Sequence, residues 1–195
     1  MAAKTIDANF FKKYAGTNRE YDKVYRDHSY IEECIELFEA EDAPKVRSLC
    51  ILGTGTGIAL KDFKKAFGVN PYGCEISEWA YARTPKAARA RVKNQDMVDY
   101  LRQVAARKQV FDLVFSNSFI YLPRRELSGV LKILAKSARY VHFRSSFKDE
   151  YCRDPYRRIL ESYDWWNSRL KHAGFEELRT PFGSPTYLWR SRSLF

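Results

Sequence analysis

Hydrophobic positions along the chain follow two different periods from residue 46 onward. Short apolar runs of strand length alternate with longer stretches whose apolar residues recur every three or four positions, as they do in amphipathic helices. The pattern predicts strands at 46–52, 72–76, 90–96, 111–115, 138–143, 175–179 and 186–191. It predicts helices at 58–67, 79–83, 97–106, 125–135 and 156–173.

The order of these elements predicts the fold class. Because helices separate the first six strands, their connections should be right-handed crossovers within a parallel sheet. The last two strands are joined by the short turn 181–185, so they should run antiparallel. The predicted fold is α/β, a doubly wound, Rossmann-like and mostly parallel seven-stranded sheet with an antiparallel last strand. Residues 46–195 form one globular unit, and residues 1–45 carry helices at about 10–14 and 21–38.

The composition fits a single globular domain. The chain has 195 residues, of which 45% are hydrophobic and 30% are charged. No apolar run reaches the roughly 20 residues of a membrane-spanning helix, and no signal peptide is recognisable, so a cytoplasmic location without membrane contact is expected. The four cysteines are widely spaced, which predicts no metal site and buried thiols at Cys50 and Cys74.

The net charge of +10 is distributed unevenly along the chain. Basic residues concentrate between positions 83 and 108, whereas the segment 32–42 is acidic. The excess of positive charge favours an anionic partner such as a nucleic acid. A solvated basic face would produce the same pattern without any partner.

A glycine-rich loop lies between the first predicted strand and the first following helix. Its sequence is Gly53-Thr54-Gly55-Thr56-Gly57. Glycine allows sharp turns and close approach of a ligand to the main chain, and the helix N-terminus beyond it attracts anions. Ile58 stands where a dinucleotide fingerprint has its third glycine, and the lysine of a P-loop is absent. A glycine turn without a ligand remains the alternative.

Two acidic residues follow the next two strands. Glu75 ends the second strand, where an acid can accept hydrogen bonds from both hydroxyls of a ribose. Asp96 follows the third strand and could accept from an adenine amino group with Met97 beside the ring, or it could cap the helix 97–106. Ligands of open α/β sheets bind at the carboxyl ends of the strands, so the glycine loop and both acids are expected to converge there.

The segments 53–57, Glu75, Asp96 and 111–117 resemble, in this order, the successive motifs of class I S-adenosylmethionine-dependent methyltransferases. The resemblance runs from about residue 46 to the C-terminus and includes the antiparallel final strand. It implies S-adenosyl-L-methionine as the cofactor and methyl transfer as the activity. Ile51 departs from the family pattern, which has an acid at this position. The implied cofactor-binding residues are Gly53, Thr54, Gly55, Gly57, Glu75, Ile76, Asp96, Met97, Ser116, Asn117 and Tyr21.

The acceptor is less well marked than the cofactor. Residues 116–119 lack the prolines of the amino-methylating nucleic-acid enzymes, which favours transfer to oxygen or nitrogen of a small molecule. A nucleic-acid methyltransferase, or an inactive binding module with this fold, is the alternative that the basic charge supports. Residues 1–45 are expected to form a lid over the cofactor. Candidate catalytic residues are His28, Asn117 and Tyr121, and candidate acceptor-binding residues are Tyr25, Phe119, Arg144, Tyr151 and Phe182.

Overall fold

The computed structural model describes Phe10 and residues 29–40, 44–144, 156–179 and 185–195. Its strands are β1 (Leu49–Leu52), β2 (Tyr72–Glu75), β3 (Val92–Asn94), β4 (Phe111–Ser116), β5 (Ala138–Phe143), β6 (Phe175–Arg179) and β7 (Pro185–Ser191). Its α-helices are α1 (Ser29–Ala40), α2 (Ile58–Phe67), α3 (Glu78–Tyr81), α4 (Met97–Ala106), α5 (Arg124–Ser137) and α6 (Tyr163–Ala173). Two 3₁₀ helices, Lys86–Arg91 and Phe119–Tyr121, complete the set.

All seven strands form one sheet in the order β3-β2-β1-β4-β5-β7-β6. Strands β1 to β5 pair in parallel with their neighbours, and β7 runs antiparallel to both β5 and β6. The predicted fold class, a doubly wound and mostly parallel sheet with an antiparallel last strand, is therefore confirmed. The carboxyl ends of β1 to β5 all lie at one edge, which we call the carboxyl edge.

Both faces of the sheet are covered by helices. Successive residues of β1 point to opposite faces. Cys50 and Leu52 join the core beneath α4, α5 and α6, whereas Leu49 and Ile51 join the core beneath α1 and α2. Burial on both sides explains why β1 is a continuous apolar run rather than an alternating one.

The predicted buried thiols are confirmed. Cys50 and Cys74 are free, fully enclosed cysteines on the same face of the sheet. Burial raises the pKa of the Cys50 thiol to about 12, because desolvation penalises the thiolate. These thiols are packing groups rather than nucleophiles. The described residues hold no group of three or more His, Cys, Asp or Glu side chains suited to a metal ion.

Several predicted boundaries were wrong. The first strand begins at Leu49 instead of residue 46, and the third strand ends at Asn94 instead of residue 96. Residues 90 and 91 belong to the 3₁₀ helix, so β3 begins only at Val92, and β2 ends at Glu75 instead of residue 76. The helix predicted from residue 156 begins at Tyr163. The preceding segment is held away from helical geometry because the N–H groups of Arg158 and Ile159 both donate to the carbonyl of Ile120.

The N-terminal prediction is tested only in part. A helix covers residues 29–40, within and just beyond the predicted segment 21–38, while residues 11–28 lie outside the described part of the chain. Helix α1 packs on the sheet through Ile31, Cys34 and Phe38. None of the described helices is both long and apolar enough to cross a membrane.

Candidate functional site

The glycine loop begins where β1 ends, at the carboxyl edge. Gly53, Gly55 and Gly57 have φ angles of 82°, 54° and 90°, in the left-handed region that side chains rarely adopt. The N–H groups of Gly53 and Thr54 donate to the carbonyl of Cys74, at 2.9 and 3.1 Å, and fasten the loop to β2. The loop is therefore a fixed backbone cradle that leads into the N-terminus of α2.

Two further contacts require glycine for lack of space. A Cβ atom on Gly53 would overlap the hydroxyl of Ser118. A Cβ atom on Gly73 would lie 2.5 Å from the carbonyl oxygen of Ile51 and 2.6 Å from the methyl group of Thr54. Sequence reasoning missed Gly73 and Ser118. A glycine inside a strand indicates a close backbone approach, so the signal for Gly73 was present.

Glu75 places a buried carboxylate beside the glycine loop. Its Oε2 accepts from the Gly55 N–H at 2.7 Å, and its Oε1 accepts from the Ser77 N–H at 2.8 Å. The residue is only 4% exposed. Burial raises the pKa of the Glu75 carboxyl, while the N–H groups of Ser77 and Gly55 act in the opposite direction. No lysine, arginine or histidine of the described residues pairs with it, and within this part of the chain its charge is offset by backbone N–H groups.

The rim beside Glu75 is apolar on one side. Ile76, which follows β2 directly, is 49% exposed and presents an apolar side chain to solvent. The side-chain amide of Asn94 donates to the Glu75 carbonyl at 2.8 Å and so holds the ends of β2 and β3 together. Neither Asn94 nor Ser77, which hold Glu75 and the strand ends in place, was among the predicted site residues.

Asp96 caps helix α4. Its Oδ1 accepts from the Val98 N–H at 2.7 Å, which confirms the helix-cap interpretation. Its other oxygen, Oδ2, has no hydrogen-bond partner within the described part of the chain. Met97 begins the helix and packs half-buried against the core. Capping uses one carboxylate oxygen, so the geometry leaves the other oxygen for the predicted contact with an adenine amino group.

The end of β4 closes the site on the other side of β1. The fully buried Ser116 donates its hydroxyl to the Leu52 carbonyl at 3.0 Å and accepts from the Ser118 N–H at 3.0 Å. Asn117 is exposed, and its Oδ1 accepts from the Ser118 hydroxyl at 3.1 Å. The side chain of Ser116 thus joins two strands, which leaves its backbone and Asn117 as the groups at the rim.

Phe119, which was predicted to bind the acceptor, lies in the core. It is fully buried, with its ring 5.1 Å from that of Phe143, because the 3₁₀ turn 119–121 directs it into the core. It therefore cannot form the wall of an acceptor site. Arg144 is partly exposed at the end of β5, where its Nη1 lies 3.5 Å from Oε2 of Glu33 on α1. Five further candidates lie outside the described residues: Tyr21, Tyr25, His28, Tyr151 and Phe182.

Phe10 connects three loops of the carboxyl edge. Its ring packs edge-on against Tyr121, which follows β4, and against Tyr156, which follows β5, with centroid distances of 5.8 and 4.9 Å. The same cluster includes Ala80, which follows β2. A residue from the N-terminal region is thus anchored among the loops that surround the glycine cradle.

Ile51 is fully buried in the core beneath α1 and α2. Its side chain lies among apolar residues such as Leu60 and Phe63 and not at the rim. A carboxylate at this position would need a partner in that core. The departure from the family pattern therefore fits the packing of this particular sheet.

Comparison with known proteins identifies the architecture. No protein-family model and no curated protein sequence matches this chain. A S-adenosylmethionine-dependent methyltransferase from Archaeoglobus fulgidus is structurally similar, with a TM-score of 0.66 and 18% identity over 86% of this chain and 74% of that one. The sugar N-methyltransferase KedS8 from Streptoalloteichus has a TM-score of 0.64 and 16% identity over 98% of this chain and 94% of that one.

A third similar structure was determined with bound S-adenosylmethionine. It is the magnesium protoporphyrin IX methyltransferase of Synechocystis, with a TM-score of 0.58 and 18% identity over 97% of each chain. Sheet order, antiparallel β7 and a glycine cradle at the carboxyl edge agree with the sequence resemblance. The chain has the fold of the class I S-adenosylmethionine-dependent methyltransferases.

Proposed function

We propose that this protein is a methyltransferase that uses S-adenosylmethionine and transfers the methyl group to oxygen or nitrogen of a small molecule. The observation that carries the proposal is the buried Glu75 carboxylate beside Gly55. A buried charge without a counter-ion is costly unless a ligand uses it. Its position at the end of β2 suits the two hydroxyls of a ribose.

The other residues of the rim fit the remaining parts of the cofactor. The backbone of Gly53, Thr54, Gly55 and Gly57 would hold the methionine part, with Ser116 and Asn117 on the opposite side. Ile76 offers an exposed apolar surface to an adenine ring, and Asp96 keeps one carboxylate oxygen for its amino group. When bound, the cofactor supplies a methyl group on a sulfonium, which is reactive without help from a metal.

The protein's own contribution is to orient the acceptor and exclude water. The cluster of Phe10, Tyr121 and Tyr156 supports a covered site, since it joins the N-terminal region to loops at the rim. The proposed lid within residues 1–45, including Tyr21, Tyr25 and His28, is consistent with that anchor. Asn117 and Tyr121 remain candidates for contact with the acceptor, and a cytoplasmic location stays a prediction from the sequence.

A small-molecule acceptor is favoured over a large one. The similar structures include enzymes named for a sugar and for magnesium protoporphyrin IX, and the match covers almost the whole of both chains. The described part of this chain is one sheet with its covering helices, without an added unit for target recognition.

Calorimetry with S-adenosylhomocysteine tests the proposal. Glu75→Gln keeps the size of the side chain but removes its charge, and we expect a 30- to 150-fold weaker affinity, about 2–3 kcal/mol, because hydrogen bonds to a charged acceptor are lost. The matched control is Glu78→Gln, three residues away on an exposed position, which should bind like wild type.

Two results would reject the proposal. One is the absence of heat from wild-type protein at millimolar ligand, which would leave a binding module that shares only the fold. The other is equal affinity of the Glu75→Gln and wild-type proteins, which would show that the buried carboxylate does not contact the ligand.

A further inference from the structure

The β3 edge of the sheet carries an unusual surplus of positive charge. Between residues 76 and 110 the chain has eight basic and three acidic residues, which supplies half of the net charge of +10. Strand β3 is the outermost strand, and the 3₁₀ helix beside it is mostly exposed. We call the following residues the β3-edge surface: Arg83, Lys86, Arg89, Arg91 and Lys93.

The acidic residues of this region do not neutralise that surface. Asp96 caps α4, and Asp99 pairs with Arg102 on the same helix at 2.7 Å. Glu78 forms no ion pair with a described residue. Among the residues that the structure describes, no carboxylate pairs with any member of the β3-edge surface.

Two of its arginines are fixed in place without losing their charge. The guanidinium of Arg83 lies over the Trp79 ring, 3.6 Å from the centroid, and donates to the Trp79 carbonyl at 2.8 Å. Arg89 donates from Nε to the Thr84 carbonyl and from Nη2 to the Ala82 carbonyl, at 3.1 and 2.6 Å. Because neutral carbonyls hold both groups, the side chains are ordered while their positive potential remains available to a ligand.

Basic residues elsewhere are often matched by acids. Arg190 pairs with Glu176, Arg124 pairs with Glu161, and Lys171 lies 3.5 Å from Glu177. A lysine on an edge strand also protects against sheet-to-sheet association, which accounts for Lys93 alone. The arginines lie outside the strand, so protection of the edge does not explain them.

We propose that the β3-edge surface binds single-stranded nucleic acid. Guanidinium groups match the geometry of phosphates, and an arginine stacked on tryptophan presents a flat surface on which an unpaired base can stack. An acidic protein would be attracted by the charge but would gain nothing from the stacked plane. The charged groups of the surface lie at the β3 end of the sheet, four strands from β5, and only the Trp79 ring beneath Arg83 reaches the Phe10 cluster. The proposal does not rest on the proposed enzyme activity.

Fluorescence anisotropy with a labelled 20-nucleotide RNA, and with DNA of the same sequence, tests the proposal. The variant combines Lys86→Gln, Arg91→Gln and Lys93→Gln, which spares the two arginines that hold local structure. The control combines Lys132→Gln, Lys136→Gln and Arg192→Gln. These changes remove the same charge around a shallow cleft formed by α5, Gly174 and the residues that follow β7.

The β3-edge variant should bind at least tenfold more weakly at 50 mM salt, and its log–log salt dependence should become shallower by about two units, since each lost phosphate contact contributes roughly 0.7. The control variant should change affinity less than twofold. In both variants S-adenosylhomocysteine should bind as in wild type, so the outcome is independent of the proposed enzyme activity.

Three outcomes would overturn the proposal. They are no binding of wild type at 50 mM salt, equal weakening in the two triple variants, and displacement of the RNA by polyglutamate as effectively as by unlabelled RNA. The last result would show a general affinity for acidic polymers, including acidic proteins, without recognition of a nucleic acid.

Discussion

Two carboxylates, Asp112 and Glu75, lie at opposite ends of the parallel strands and are held in different ways. At the amino ends of the parallel strands, Oδ2 of Asp112 accepts from the N–H groups of Arg47 and Ser48 and from the Ser48 hydroxyl, at 2.9, 2.9 and 3.0 Å. Its Oδ1 lies 3.6 Å from Nε of Arg139, and its side chain is 25% exposed. At the carboxyl edge, Glu75 accepts from backbone N–H groups only, among them those of Gly55 and Ser77, and it has no described cation and almost no exposure to solvent.

Under the proposed function, the difference separates a carboxylate that holds the fold together from one that would bind a ligand. Every partner of Asp112 belongs to the fold, and together they join the starts of β1, β4 and β5. Glu75 has the same kind of backbone donors, but burial penalises its charged form and the described residues supply no counter-ion. A buried carboxylate that penalises folding is expected where it serves a ligand, which is the role that the proposed function gives to Glu75 and not to Asp112.

The largest effect on stability should come from Asp112→Ala. It leaves two backbone N–H groups and one hydroxyl without their acceptor, and we expect a loss of about 3 kcal/mol in the free energy of unfolding. Urea unfolding measures it. Affinity for S-adenosylhomocysteine should stay within twofold of wild type, measured at low temperature where the variant is folded. A large loss of affinity would make Asp112 part of the site and end the contrast.

A pair of glycine substitutions sharpens the contrast at the rim. Gly53→Ala combines a left-handed φ with overlap against Ser118. It should lower the free energy of unfolding by about 2–3 kcal/mol and also weaken ligand binding. Gly68→Ala is the control, since Gly68 has a φ of 69° but nothing within 4 Å of an added Cβ. It should lower the free energy of unfolding by about 1 kcal/mol and leave ligand binding unchanged. Equal costs in urea unfolding would mean that Ser118 moves aside freely.

The smallest effect is a dependence of stability on pH. Burial raises the pKa of Glu75 in the folded protein above its ordinary value, which is the value in the unfolded chain. At a pH between these two pKa values, the folded protein therefore binds more protons than the unfolded chain. Wild type should therefore gain stability relative to Glu75→Gln as pH falls from 7.5 toward 4.5.

The comparison isolates Glu75 because other groups titrate in both proteins. His142, whose pKa burial lowers, contributes equally to each and cancels in the difference. Urea midpoints measured for both proteins across this range check the sign. Parallel curves would mean that the carboxylate is not strained by its burial.

The sequence predicted what short-range patterns encode. The strands, the helix after the glycine loop and the position of Glu75 at the end of β2 follow from periodicity and from Gly53-Thr54-Gly55-Thr56-Gly57. The helix cap at Asp96 was equally local. These features could be predicted because each is determined by residues within a few positions of one another.

Long-range contacts explain the errors. The start of α6 at Tyr163 depends on the carbonyl of Ile120, about forty residues earlier in the chain. The burial of Phe119 depends on Phe143 in a neighbouring strand, and the role of Ser118 depends on Gly53. No periodicity within a local window contains these partners, so the sequence pattern could not predict the burial of Phe119 or the contact of Ser118 with the glycine loop.

The place of β7 in the sheet has a consequence for biosynthesis. It is the last described strand in chain order, yet it pairs with β5 on one side and β6 on the other. A nascent chain therefore cannot complete its sheet on the ribosome until residues 185–191 have emerged from the exit tunnel. Until then the β5 side of the sheet exposes unpaired backbone to chaperones. A premature stop codon before residue 185 would leave β5 as an open edge and β6 without a partner strand, and both would be prone to aggregation.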